Sequence, residues 1–250
     1  MSERSMSLLR RIAAFVLAAA LVLGTAGKLD AYAAAAAVTK DPGRYNSNTY
    51  IYTVTDYSTR FTGKGSTIDV QCYYQMLQLP GKDKASKKIN KILKNLAKGF
   101  DPDSVLSIAE MDAENRELGA DEVEIYSDYS ISSVTYNDGR YLSNLIYRYW
   151  YAGGVSNIFN DGYTFDLKTG KRAKITDVTG WSLKDIKDRI IANIEADGEF
   201  SEEDPYKEVV NGKKAADFNF YLLPGRQCVV TFAPYELGWG GWYREYIIEY

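Results

Sequence analysis

No histidine occurs in these 250 residues. Histidine is the side chain that most often moves protons near neutral pH, and it is the commonest metal ligand. Its absence removes His-based triads, Cys–His pairs and His-rich zinc sites from consideration. Long apolar runs are also scarce. One stretch, Ile12 to Gly24 (IAAFVLAAALVLG), covers 13 residues and has no counterpart later in the chain. A membrane-spanning helix needs roughly 20. What the chain does have is 21 Tyr and 4 Trp. Aromatic side chains in that quantity suit packing and contact surfaces, so the composition points away from catalysis and toward binding.

The apolar run belongs to a targeting segment. Arg4, Arg10 and Arg11 precede it, and small residues follow it at Gly24-Thr25-Ala26 and Ala31-Tyr32-Ala33. This order of charge, apolar stretch and small-residue site predicts a secretory signal peptide over 1–33, with a retained anchor as the alternative. Residues 34–48 are alanine-rich and then polar, and read as a flexible lead-in. Cleavage after Ala33 removes Arg4, Arg10, Arg11 and Lys28 together with Glu3 and Asp30, which takes the net charge from −3 to −5. A mildly acidic exported chain does not favour nucleic acid. After cleavage no stable membrane span is expected. Cys72 and Cys228 each lie in a strand-like run. In an oxidising compartment they form either a disulfide joining the two halves or two buried thiols.

Periodicity divides the rest. Residues 50–55 and 66–79 alternate apolar and polar, as strands do. In 84–98 the apolar residues Ile89, Ile92, Leu93 and Leu96 take helical spacing, and six lysines occupy the remainder. That lysine face reads as a solvated surface, with a patch for wall polyanions as the functional alternative. A second helix is predicted over 104–117. Strands are predicted over 122–136 and 141–151, joined by Asn137-Asp138-Gly139, a hairpin turn. The second half offers hairpins around 168–170 and 224–225, a helix capped by Ser182 with Asp185 three residues on, and a closing strand at 243–250. Strands and helices in mixed order with hairpin links predict an α+β fold in two lobes of antiparallel sheet with packed helices, divided into domains 49–151 and 152–250.

Two segments are chemically unusual. The first, Trp150 to Asn157 (WYAGGVSN), carries Gly153, Gly154, Val155, Ser156 and Asn157. The second, Phe232 to Trp242 (FAPYELGWGGW), carries Pro234, Tyr235, Glu236, Trp239 and Trp242. Tryptophan, tyrosine and glycine together are what paratope-like and sugar-stacking surfaces use. Tyr235, Trp239 and Trp242 are expected to supply flat contact area and Glu236 an acceptor. Paired carboxylates can hydrolyse glycosides without histidine, but nothing in the spacing pairs Glu236 with Asp161 or Asp166. No metal-ligand spacing or phosphate-loop context is present, so no metal and no cofactor is expected.

The run YWYAGGVSNIFNDGYTFDLKTGKRAKITDV, followed by VVTFAPYELGWGGWYREYIIEY, resembles the C-terminal extracytoplasmic domain of RsiV-like proteins. Gly153-Gly154, Thr164 to Lys171 and Phe232 to Glu236 carry the likeness. The loop reads Val155-Ser156-Asn157 where the family pattern has Ala-His-Pro. The preceding half, with VQCYYQMLQLP, resembles the companion domain shared with the peptidoglycan deacetylase PdaC. The resemblance implies α+β domains and the sensing of lysozyme outside the cell. With about eleven residues before the apolar run and no histidine for a metal site, neither a sigma-factor-binding domain nor a deacetylase domain is expected. The expectation is therefore a secreted or wall-associated binding module, not an enzyme, whose partner is a protein such as lysozyme or the peptidoglycan glycan. The alternatives are a carboxylate-based envelope hydrolase and a structural module without a specific ligand.

Overall fold

Alternation at Ile68, Val70, Cys72, Tyr74 and Met76 sets one side of a strand under cover, and none of the five is more than 7% exposed. The computed structural model that shows this describes residues 39–40, 49–64, 66–97, 102–116, 122–201, 203–238 and 242–250. The expected signal peptide, and the lead-in apart from residues 39–40, lie outside the described residues. In chain order the elements begin with β1 (Thr39–Lys40), β2 (Thr49–Thr62) and β3 (Thr67–Gln78). Two helices follow, α1 (Lys84–Ala97) and α2 (Asp103–Asn115), then β4 (Val123–Asn137), β5 (Tyr141–Ala152), β6 (Val155–Asp166) and β7 (Lys171–Arg172). The chain continues through α3 (Ile175–Thr179), α4 (Leu183–Asp197), α5 (Tyr206–Gly212), β8 (Asn219–Leu223), β9 (Gln227–Phe232) and β10 (Arg244–Glu249).

Strands β1 to β7 form one sheet in sequence order, and β10-β9-β8 form a second. The fold is α+β, as the mixed order of elements predicts. Among the strands just named, every strand-to-strand pairing is antiparallel except β3 with β4. That parallel pair is joined through α1 and α2, the long crossover that a parallel pairing requires. Both helices cover one face of the large sheet. Val105, Ala109 and Ala113 of α2 pack on Ile68, Val70, Cys72 and Tyr126. Ile89 and Leu93 of α1 pack on Leu77, Ile146 and Phe165. Between them the fully buried Asp128 carboxylate accepts hydrogen bonds from Arg148 at 2.8 and 3.1 Å and from the Tyr74 hydroxyl at 3.1 Å. A third cluster joins Ile186, Ile190 and Ile194 of α4 to Phe220, Val230 and Phe232 of the small sheet. Ser182 caps α4 by accepting from the Asp185 N–H at 3.1 Å.

Strand alternation puts Ser143, Leu145, Gly162 and Thr164 on the face away from α1 and α2. There the small sheet lies on the large one. The Thr164 hydroxyl donates to the Phe220 carbonyl at 3.1 Å, and the Leu222 N–H donates to the Ser143 hydroxyl at 3.0 Å. Gly162 permits this approach, because a Cβ there would lie 2.5 Å from the Phe220 carbonyl carbon. Val38–Tyr250 form a single compact unit. The boundary expected at 151/152 falls at the β5–β6 hairpin inside the large sheet, so strands from both expected domains share that sheet. Cys72 and Cys228 are both free and buried. Cys72 packs under α2 and Cys228 in the cluster of the small sheet, so the disulfide reading gives way to two buried thiols. Among the described residues, no helix is long and apolar enough to cross a membrane.

Candidate functional site

The part of the open face that the small sheet leaves uncovered is aromatic. Reading across the strands, Asp56 of β2 pairs with Tyr73, Tyr73 with Tyr129, Tyr129 with Tyr149, and Tyr149 with Ile158. Ile158 then forms a parallel bridge with Trp242. One transverse row thus runs through β3, β4, β5 and β6 to Trp242, a span of about 19 Å at the usual strand spacing. Tyr73 and Tyr129 alternate with Cys72 and Asp128, which are buried toward the helices, so the row faces the other way. The Tyr129 ring lies 5.1 Å from that of Tyr149 and 6.2 Å from that of Tyr147, tilted by 31° and 40°. All these tyrosines are half-buried, and Trp242 is 57% exposed.

Burial pushes the phenols of Tyr73, Tyr129, Tyr147 and Tyr149 up from their ordinary value. Their hydroxyls therefore stay protonated at neutral pH. The surface offers ring faces together with neutral donors and acceptors, the combination that suits sugars and protein surfaces alike.

The step between the two sheets borders the row. Burial pushes Tyr243 up to about 12, with the Glu245 charge adding to the effect. The Glu245 carboxylate accepts from Asn160 Nδ2 at 3.0 Å and from the Tyr221 hydroxyl at 3.2 Å. Burial raises its pKa, against those two hydrogen bonds. Asp161 is raised too, chiefly by burial, with the Glu236 charge adding and the Asn219 hydrogen bond opposing.

Gly153 and Gly154 make the two-residue β5–β6 turn, with φ of +60° and +84°. Such a turn needs positive φ at both central residues, which glycine adopts without a Cβ clash. The segment is a hairpin tip, because β5 and β6 extend almost to it. Val155 and Ser156 are exposed, and Asn157 pairs with Trp150. The hairpin and the C-terminal segment meet at Ile158 and Trp242. Tyr235 is 63% exposed and adopts φ +64°, a costly conformation for a non-glycine residue. Pro234 is partly buried beside it in the same turn. Glu236 does not offer the open acceptor expected of it. Its Oε1 binds Lys213 Nζ at 2.5 Å, and its Oε2 accepts from the Ala233 N–H at 2.8 Å. Its role is to hold the turn. Trp239 lies outside the described residues.

Sequence reasoning missed Tyr73, Tyr129, Tyr147 and Tyr149. For Tyr147 and Tyr149 the signal was the recurrence of tyrosine at every second position, 147, 149 and 151, on one side of the strand. Two concavities among the described residues lie elsewhere. One is a groove on α4 between Trp181 and Arg189, and another lies between Pro80 and Gly139. The aromatic row is a surface, not a pocket. Among the described residues, no three His, Cys, Asp or Glu side chains are grouped to hold a metal.

No protein-family profile matches the chain, and no curated protein matches it either. The solved structures similar in fold include two DUF3298 family proteins. The one from Bacteroides fragilis is 16% identical, with a TM-score of 0.48, over 82% of this chain and 92% of its own. The one from Pseudomonas aeruginosa is 12% identical, with a TM-score of 0.47, over 83% of this chain and 93% of its own.

Proposed function

We propose that this chain is an exported, wall-associated binding module without catalytic activity, and that it holds a peptidoglycan glycan strand against the aromatic row of its large sheet. The row Tyr73–Tyr129–Tyr149, closed by Ile158 and Trp242, carries this reading. A fold buries aromatics where it can, yet here they line the half of the face that the small sheet leaves uncovered. Stacked rings with neutral hydroxyls match the apolar faces and peripheral hydroxyls of pyranose rings. Co-sedimentation with purified, insoluble peptidoglycan tests this directly. Saturable binding supports it, and no binding at any salt concentration rejects it.

A cationic protein such as lysozyme is a second partner of the same surface. The net charge of −3 and the exposed tip at Val155 and Ser156 favour it. Attraction between net charges weakens with salt. Lysozyme binding that persists at high salt would place lysozyme ahead of glycan, and binding only at low salt would mark it as nonspecific.

A carboxylate hydrolase is the competing reading. The raised Asp161 carboxyl, to whose shift the Glu236 charge adds, favours it. Both Glu236 oxygens are already engaged, which weighs against a catalytic role. Peptidoglycan digestion that disappears in Glu236→Gln, with the fold intact, would establish the hydrolase and overturn the binding module.

A further inference from the structure

Helix α1 separates charge. Its sequence KASKKINKILKNLA holds five lysines and no acidic residue in a chain whose net charge is −3. At 100° per residue, Lys84, Lys87, Lys88, Lys91 and Lys94 fall within about 120° of the helix circumference. They form a file about 15 Å long. Ile89 and Leu93 sit on the far side, buried in the core. All five lysines are exposed, and among the described residues none of them is in an ion pair.

A second segment extends the file. Lys88 Nζ donates to the Thr169 carbonyl at 3.2 Å, which ties α1 to the β6–β7 turn and its exposed Lys168 and Lys171. Two carboxylates near these lysines in sequence are occupied by backbone groups. Asp83 accepts from the N–H groups of Ala85 and Ser86, and Asp166 accepts from that of Thr169. Seven cations from two segments about eighty residues apart thus meet on one surface.

We infer that this surface binds an unbranched phosphodiester polymer that lacks bases, of the poly(glycerol phosphate) kind, lying along α1. Cations in single file match a linear chain of anions. Single-stranded nucleic acid is held by aromatic rings beside the cations, and none of the large exposed hydrophobic side chains lies on α1. A helix that lies in a membrane surface inserts apolar side chains, whereas the apolar face of α1 is used by the core. This inference stands apart from the aromatic row on the opposite face of the sheet.

The test is binding of fluorescently labelled synthetic poly(glycerol phosphate) across a salt series. Five single-file contacts predict a slope of log K against log salt of about −3.5 or steeper, by analogy with single-stranded polyanions. The variant Lys87→Gln/Lys91→Gln/Lys94→Gln should shift that slope by about 2 toward zero. It should also weaken low-salt binding more than tenfold, while its melting temperature stays unchanged. The control Lys184→Gln/Lys207→Gln/Lys214→Gln removes equal charge elsewhere and should bind as the parent does. Equal binding by parent and α1 variant overturns the inference, as does equal loss in the control. Tighter binding to oligothymidylate or to phosphatidylglycerol vesicles than to the polymer also overturns it, in favour of nucleic acid or membrane.

Discussion

Trp242 and Ile158 stand side by side as a parallel bridge, and that one contact brings the C-terminal segment to the end of the tyrosine row on the large sheet. Two features that look independent along the chain, an alternation of tyrosines and a Gly/Trp-rich segment, therefore adjoin one surface. The bridge also places Tyr243 and Glu245 at the step between the sheets, where Glu245 binds Asn160 and Tyr221.

The stacking of the two sheets depends on the missing side chain of Gly162. Gly162→Ala would drive a methyl group into the backbone of Phe220 and Tyr221, at 2.5 and 2.7 Å. Backbone cannot yield as a side-chain end can. A cost of about 1–3 kcal/mol is expected, read as a lower denaturation midpoint with an unchanged m-value. A variant as stable as the parent would show that the sheets are not held in this contact.

Burial of Glu245 ties stability to pH. Its folded pKa lies above the unfolded value of 4.5, so the native state binds more protons over the interval between the two. Stability then falls as pH rises through that interval, and the loss is complete above the folded value. Asp161 acts in the same sense from 3.8. Exposed Asp83 and Glu195 and the partly exposed Asp69 shift the other way, but their surface contacts are screened by solvent. Glu245→Gln removes the main buried titration. Its melting temperature relative to the parent should rise as pH goes from 4 toward 8, on the order of the interval the shift spans. A difference that stays flat or shrinks with rising pH would contradict this assignment.

Much of this architecture is legible in the sequence. Alternation marks β3, β4 and β5 to within a residue or two, Asn137-Asp138-Gly139 marks their hairpin, and Ser182 with Asp185 marks the start of α4. The short helices α3 and α5 are not legible, because five and seven residues show too little periodicity. Trp150 to Asn157 reads as two adjoining expected domains meeting, yet both flanking strands run nearly to Gly153-Gly154 and the sheet continues. The site is harder still. Tyr73 and Tyr129 become neighbours only through the parallel β3–β4 pairing, whose register no local signal specifies. Lys213, which engages Glu236, lies 23 residues away in sequence.

The Asp128–Arg148 pair gives a third prediction. Asp128 is fully buried, so Arg148→Met leaves a buried carboxylate without its guanidinium. Such a loss costs about 3–5 kcal/mol, or on the order of 10 °C in melting temperature for a chain of this size. Adding Asp128→Leu to Arg148→Met should restore part of that loss. A double variant less stable than Arg148→Met alone would show that the carboxylate contributes beyond its pairing.

Free, buried Cys72 and Cys228 predict a thiol assay of a particular form. Burial pushes both thiols up, and neither is accessible. A thiol reagent should find no reactive group in the native protein and two per chain in denaturant, without reductant. No thiols in denaturant would establish a disulfide and overturn this arrangement.

The aromatic row is tested most directly by measuring peptidoglycan binding of Trp242→Ala and Tyr149→Ala against the parent, with melting curves beside each. Trp242 is 57% exposed, so its removal should leave the fold intact. Each variant should lose about tenfold in affinity, as aromatic anchors of a binding surface do, and Trp242→Ala should melt as the parent does. Folded variants that bind peptidoglycan as tightly as the parent would show that the row is not the binding surface.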